Sequence, residues 1–140
     1  MSCEAWLVDA FGEPKAVLKP GRIDVREPEP GEVAVEVDAT GLNFLDVSVC
    51  RGAYVSQPEL PLLPGAELAG RVAAVGDGVH TLRPGDRVAA MSPSALGAFA
   101  AAIVVPAVAA HRVPDAMPDK HAAAMCEGHV VGKAVVEGPG

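Results

Sequence analysis

The side chains able to do chemistry gather in one stretch of this sequence: Asn43, Asp46, Ser48, Cys50 and Tyr54, with Glu67 following. An amide such as Asn43 donates and accepts hydrogen bonds without changing charge. At the head of a short helical pattern it is equally an N-cap, and taken alone the residues favour the cap. Tyr54 is the only tyrosine. Its phenol can orient a carbonyl or act as a weak acid, or simply pack the proline-rich loop beside it. Asp46 reads as a cap or salt-bridge residue. Cys50 has no neighbouring His or Lys in sequence to lower its pKa, which argues against a nucleophile. Glu67 opens an apolar run; it reads as the buried partner of Arg51, Arg71 or Arg87 in preference to a general base. His80, His111, His121 and His129 show no ligand spacing and read as surface or turn residues. Cys3, Cys50 and Cys126 are odd in number and far apart, which suits reduced thiols better than a disulfide framework.

The elements that must position these groups are mostly strands. Ala5 to Val8 reads as a first strand, with a turn around Gly12 and Pro14 and weaker strand signals at Val17-Leu18 and Ile23 to Arg26. Glu27 to Gly31 is a turn in which two prolines exclude helix and central strand. From Glu32 to Ala39, Val33, Val35 and Val37 alternate with Ala34, Glu36 and Asp38, the period of a half-buried strand. Leu42 to Cys50 predicts a short helix with Leu42, Leu45 and Val49 on one face. Gln57 to Pro64 is a proline-rich loop. Strands are predicted at Glu67 to Val75, ended by Gly76-Asp77-Gly78, and at Arg87 to Met91, after a turn built by Pro84-Gly85. In that turn Asp86 is placed to bond nearby amides and Arg87 to meet a carboxylate. Gly65 and Gly70 suit close backbone packing. Further strands are expected at Ala98 to Val105 and Val108 to Val113, a helix from Pro118 to Met125, and a last strand from Val130-Val131 and Ala134 to Val136. Mainly β structure, with turns roughly every ten residues, indicates a barrel or sandwich.

Length and composition agree. At 140 residues, half of them apolar, the chain suffices for one domain with a real core. Gly (15) and Pro (13) punctuate short β-branched runs, and aromatics are scarce, so Val, Leu and Ala must build that core. A net charge of -7 without a basic block speaks against nucleic acid or anionic membrane as partners. No apolar stretch reaches the ~20 residues of a membrane span. The N-terminus has acids early and no long apolar segment, so it does not read as a signal peptide. Cytoplasmic location is the expectation.

Three segments together resemble one family. They are Gly41-Leu42-Asn43-Phe44-Leu45-Asp46 with Arg51-Gly52-Ala53-Tyr54; Leu60-Pro61 and Pro64-Gly65-Ala66-Glu67-Leu68-Ala69-Gly70, running on to Val79; and Pro84-Gly85-Asp86-Arg87-Val88. Ser94 to Phe99 and Val113-Pro114-Asp115 fit the same pattern. The chain resembles, over roughly residues 5 to 125, the N-terminal catalytic domain of the zinc-free quinone oxidoreductases, the zeta-crystallin-like group of the medium-chain dehydrogenase/reductase superfamily. The resemblance implies a GroES-like, partly open β-barrel with two or three short helices. It implies NADP(H) as the family's cofactor and hydride transfer to a quinone or enone. It places Asn43 in the cleft near the nicotinamide end of the cofactor and Tyr54 in the substrate pocket. Zinc-dependent relatives carry a Cys where Asn43 stands and His-Glu where Ala66-Glu67 stand. An amide and a methyl group do not replace a thiolate and an imidazole, so no metal is expected. Ser48 and Cys50 stand where close relatives often have Tyr and Arg, which removes polar reach from the cleft wall.

A cofactor domain is not legible. Dinucleotide binding needs a Gly-rich turn between strand and helix; the glycines from Gly70 to Gly78 have other offsets and no helix follows. The expected organisation is a domain at 1–125 and a tail at 126–140 that returns as an edge strand, with the Rossmann domain absent. His129 to Val136 resembles the family's C-terminus, consistent with excision of a cofactor domain near Met125-Cys126. The alternative is a truncated product whose end matches by chance. The isolated chain is therefore expected to bind no NADP(H) and to be inactive. Two other readings stand beside it: a non-catalytic module binding a small molecule or a protein on the same barrel, and one subunit of a two-chain reductase whose partner supplies the Rossmann domain.

Overall fold

A computed structural model of the chain describes residues 1–55, 59–124 and the strand at 134–137. The proposed ends of the proline-rich loop (Gln57) and of the last helix (Met125), the strand at Val130-Val131, the Gly132-Lys133 turn, Cys126 and His129 lie outside the described residues.

The alternating valines do form a strand, and it is the axis of the fold. β3 (Glu32–Leu42) pairs along one side with β4 (Glu67–Val75). Its other side is covered in succession by β6 (Ala102–Pro106), against Glu32 to Glu36, and by β8 (Ala134–Glu137), against Ala39 to Leu42. Between them the Val37 N–H donates to the Ala101 carbonyl at 2.9 Å. β5 (Arg87–Met91) pairs with β4, and β7 (Ala110–Arg112) with β5. A separate hairpin, β1 (Ser2–Val8) with β2 (Leu18–Asp24), is tied to the main sheet by Trp6 and Ala101, whose N–H groups donate to Phe99 and Glu4. The result is mainly β and partly open: two sheets, joined but not closed by a continuous ladder among the described residues.

Val33 and Val35 point into one core with Leu68, Val72, Val88 and Val105. Each valine or leucine fully buried there stabilises by roughly 1.5–3 kcal/mol. A bulge between Val37 and Ala39 then reverses the parity of β3. Ala39 consequently faces the opposite side with Ala69 and Ala89, where α3 (Asp119–Ala124) lies on the sheet through Ala122 and Ala123. Small residues on both surfaces let the helix sit close.

Several boundaries differ from the sequence expectation for local reasons. Pro14 presets a helical φ, so Pro14–Val17 is a one-turn helix, α1, and the strand begins only at Leu18. Leu42 ends β3 exposed instead of joining the helix, and α2 is Phe44–Cys50 with Val49 and Cys50 buried. The run from Ala98 forms its strand only from Ala102. Ala107–Ala109 is a 3-10 turn that shortens the next strand to three residues.

Candidate functional site

The site grows from the junction of β3 with α2. Asn43 is extended and precedes the first turn of α2; Asp46, at the third helical position, accepts the Asn43 backbone N–H at 2.7 Å. This is the acidic half of a capping box. The other Asp46 oxygen accepts the Gly65 N–H at 3.2 Å, in the turn that leads into β4. Asp46 is buried, so one carboxylate fixes the helix start against the next strand.

Glu67, the first residue of β4, is 0% exposed. The Asn43 side chain donates to it, Nδ2 to Oε1 at 3.1 Å. The β3–β4 register makes room for this carboxylate: Gly41 lies beside it, and a methyl group there would stand 2.2 Å from Oε1. Thr40 donates its hydroxyl to the Glu67 carbonyl at 2.8 Å, holding the strand end. Around this polar centre the surface is apolar: Phe44 is 76% exposed, and Leu42 and Met91 are exposed as well.

The arginine partners expected for Glu67 are engaged elsewhere. Arg51 pairs with Glu13 through two bonds at 2.8 and 2.9 Å. Arg71 donates to the Gly85 carbonyl. Arg87 is buried and donates to the carbonyls of Pro114, Asp115 and Met117 at 2.7–2.9 Å, with Asp119 as its ion-pair partner. It thereby gathers the loop before α3, and a shallow open depression forms around it, lined by Arg71, Met117, Pro118 and Asp119. Asp38, facing this cluster, is pushed up by burial first and by Asp119 second.

Tyr54 sits half-buried against Val8, Val49 and Leu62, and its hydroxyl donates to the Ser94 carbonyl at 3.1 Å. Ser94 and Ala95 both have positive φ (54° and 58°), a region costly for residues with a Cβ. Tyr54 and Ser92, whose hydroxyl donates to the Gly65 carbonyl at 2.7 Å, hold this loop. The structure thus joins Asn43, Asp46 and Glu67 into one hydrogen-bonded group and connects Tyr54 to the 92–97 loop. Cys50 is buried; burial, and then the Asp46 charge, push its thiol up, away from the reactive thiolate. Sequence reasoning did not foresee Asp46 as a clamp or Gly41 as space for Glu67. The first was signalled by the Asn43-to-Asp46 spacing; the second had no local signal.

Among the described residues, no three His, Cys, Asp or Glu side chains come together as a metal site. Asn43 and Ala66 supply neither thiolate nor imidazole, so this donor set does not fit zinc. The described residues hold no Gly-rich strand-to-helix turn of the dinucleotide-binding kind. Every strand pairing among them is antiparallel; Asn43 alone separates β3 from α2, and the 113–118 segment before α3 contains no glycine.

Comparison with known proteins adds to this geometry. The family model for the alcohol dehydrogenase GroES-like domain matches residues 29–115. The human synaptic vesicle membrane protein VAT-1 homolog is 38% identical over 109 residues, 78% of this chain and 27% of that protein. The crystal structure of the human VAT-1 homolog-like protein superposes with a TM-score of 0.84 at 36% identity, covering 89% of this chain and 40% of the other. The Escherichia coli quinone oxidoreductase complexed with NADPH gives 0.80 at 34% identity, covering 87% and 36%. The chain therefore spans about a quarter of the length of the VAT-1 homolog it matches.

Proposed function

The chain belongs to the alcohol dehydrogenase GroES-like domain family, and from that premise we propose that it is the substrate-side domain of a quinone oxidoreductase-type reductase. The reaction class is NADPH-dependent hydride transfer to a quinone or enone. One observation supports this reading above the others: Asn43, held by Asp46 and Glu67, stands at a half-exposed position flanked by exposed Phe44 and Leu42. A fixed amide in an apolar surround suits the carboxamide end of a nicotinamide, beside which a quinone or enone would receive the hydride. We assign Tyr54 to loop support around the pocket, since its hydroxyl already donates to Ser94.

A pyrophosphate calls for a Gly-rich helix N-terminus, so in our reading no step of the reaction is assigned to the described residues alone. In our reading the 140-residue chain is inactive in isolation, and residues 126–140 belong to the same domain as 1–125; the pairing of β8 with β3 supports the second point. We read the protein as zinc-independent and cytoplasmic. Supporting observations are the donor set at Asn43 and Ala66 and the free buried thiols of Cys3 and Cys50. No described helix is long and apolar enough to cross a membrane.

The exposure of Phe44 and Met91 favours a second reading, in which this apolar face meets a partner chain carrying a Rossmann domain or holds a small ligand without chemistry. Titration with NADPH and NADH, followed by a quinone reduction assay, tests the first reading. We expect no saturable binding below about 1 mM, roughly 4 kcal/mol, and no turnover. Tight binding or turnover by the chain alone refutes its inactivity. Stoichiometric zinc in protein purified without added metal refutes zinc independence.

A further inference from the structure

We infer that Glu67 is a positioning residue that fixes the polarity of the Asn43 amide, so that Asn43 meets a ligand as a hydrogen-bond acceptor. The inference rests on the placement of a ligand at Asn43 made above. A carboxylate only accepts hydrogen bonds. Nδ2 faces Glu67 Oε1 at 3.1 Å while the amide oxygen accepts the Asp46 backbone N–H, so the alternative flip would set two oxygens against each other on one side and two N–H groups on the other. Oδ1 thus faces the start of α2 and completes the capping box. It carries two lone pairs, so it can face the helix with one and a ligand with the other. Donation of Nδ2–H to a carboxylate also polarises the amide and strengthens its oxygen as an acceptor.

The carboxylate is itself held in place. Glu67 is fully buried, its backbone carbonyl is bonded by Thr40, and Gly41 leaves the space its carboxylate fills. Three neighbours thus serve one orientation of one amide. The ligand group that suits such a position is an N–H or O–H donor, such as a primary carboxamide or a hydroxyl. A bare ketone or ester carbonyl does not suit it. The apolar flank of Phe44 and Leu42 favours an aryl group carrying that donor.

Asn43 is the only asparagine and Gln57 the only glutamine of the chain, so side-chain amide NMR signals are few. Asparagine-selective 15N labelling of the full chain gives one amide pair to follow. Its inward proton should lie downfield and exchange slowly, and both features should fade in Glu67→Gln and in Gly41→Ala, two variants that perturb the carboxylate by different routes. Titration with benzamide and methyl benzoate, which share a ring but differ in N–H donors, reads the outer face. Benzamide should shift the Asn43 signals with an affinity about 2- to 10-fold above the ester, the worth of one neutral hydrogen bond. An Asn43 pair that resembles a solvated amide, or that neither variant alters, overturns the role of Glu67. Equal or tighter binding of the ester overturns the acceptor assignment. A pinned amide that neither compound shifts refutes the ligand position proposed above, while the first readout still decides the role of Glu67.

Discussion

Asp46 accepts the backbone N–H of Gly65 at 3.2 Å across a gap of nineteen positions. Its second oxygen takes the N–H of Asn43, so this buried carboxylate sets the distance between the start of α2 and the turn into β4. Asn43 and Glu67 meet because those two segments are held together. The clamp belongs to the scaffold, yet the geometry of the candidate site depends on it.

Replacing Asp46 with Ala removes the acidic half of the capping box and both charge-assisted bonds. We expect a loss of about 2 kcal/mol, read as a lower urea midpoint at unchanged slope. An unchanged midpoint would show that the clamp contributes nothing net.

Arg87 organises the segment before α3 by donating to three carbonyls in a fork that a lysine cannot reproduce. Arg87→Ala should destabilise by about 2–4 kcal/mol, and Arg87→Lys should recover only part of that. Hydrogen exchange at residues 113–124 should accelerate in both. Full recovery by Lys would mean that charge alone matters.

Gly70 faces β3 at a point where an added Cβ would lie 1.9 Å from the Glu36 carbonyl oxygen. The obstacle is backbone inside a ladder, so it cannot step aside. Gly70→Ala should cost at least about 1–3 kcal/mol. Gly78→Ala, where the added Cβ meets nothing within 4 Å but φ is +77°, isolates the cost of backbone conformation alone. Equal melting temperatures for Gly70→Ala and the parent chain would refute the clash.

Glu32 carries the clearest pH effect. Bonds from Arg26 at 2.6 and 2.8 Å, and then from the Glu29 N–H, lower its carboxyl from the ordinary 4.5 to about 2. Between these values the unfolded chain holds more protons than the folded one. The contribution is therefore complete above about pH 4.5 and is lost as pH falls toward 2. Glu32→Gln should flatten the dependence of stability on pH in that window, measured by denaturant unfolding at several pH values. An identical acid limb in the variant would exclude Glu32 as its source.

β8 covers the side of β3 that β4 does not, from Ala39 to Leu42. Deleting residues 129–140 uncovers that edge, directly behind Gly41 and Asn43. We expect a clearly lower melting temperature and increased binding of an apolar dye. Unchanged stability would show that the pairing contributes little in solution.

The sequence by itself determined the local elements. Alternating valines marked β3, Pro84-Gly85 and Gly76-Asp77-Gly78 marked turns, and Asn43 as an N-cap marked the start of α2. Each follows from backbone sterics or from a period of two, which neighbouring residues set without help from the rest of the chain. Arg87 likewise finds the carboxylate expected of it, in Asp119. Partner choice across the sheet was decided only by the tertiary structure. Glu67 takes Asn43 and not an arginine because the β3–β4 register lays Gly41 beside it, 26 positions away in sequence. The bulge after Val37 turns Ala39 toward α3, against the parity that Val33 and Val35 begin. Tyr54 bonds Ser94 through a loop whose positive φ values no residue type announced. Register, bulge position and side-chain partners each depend on which segments pack together, and that is a property of the whole chain.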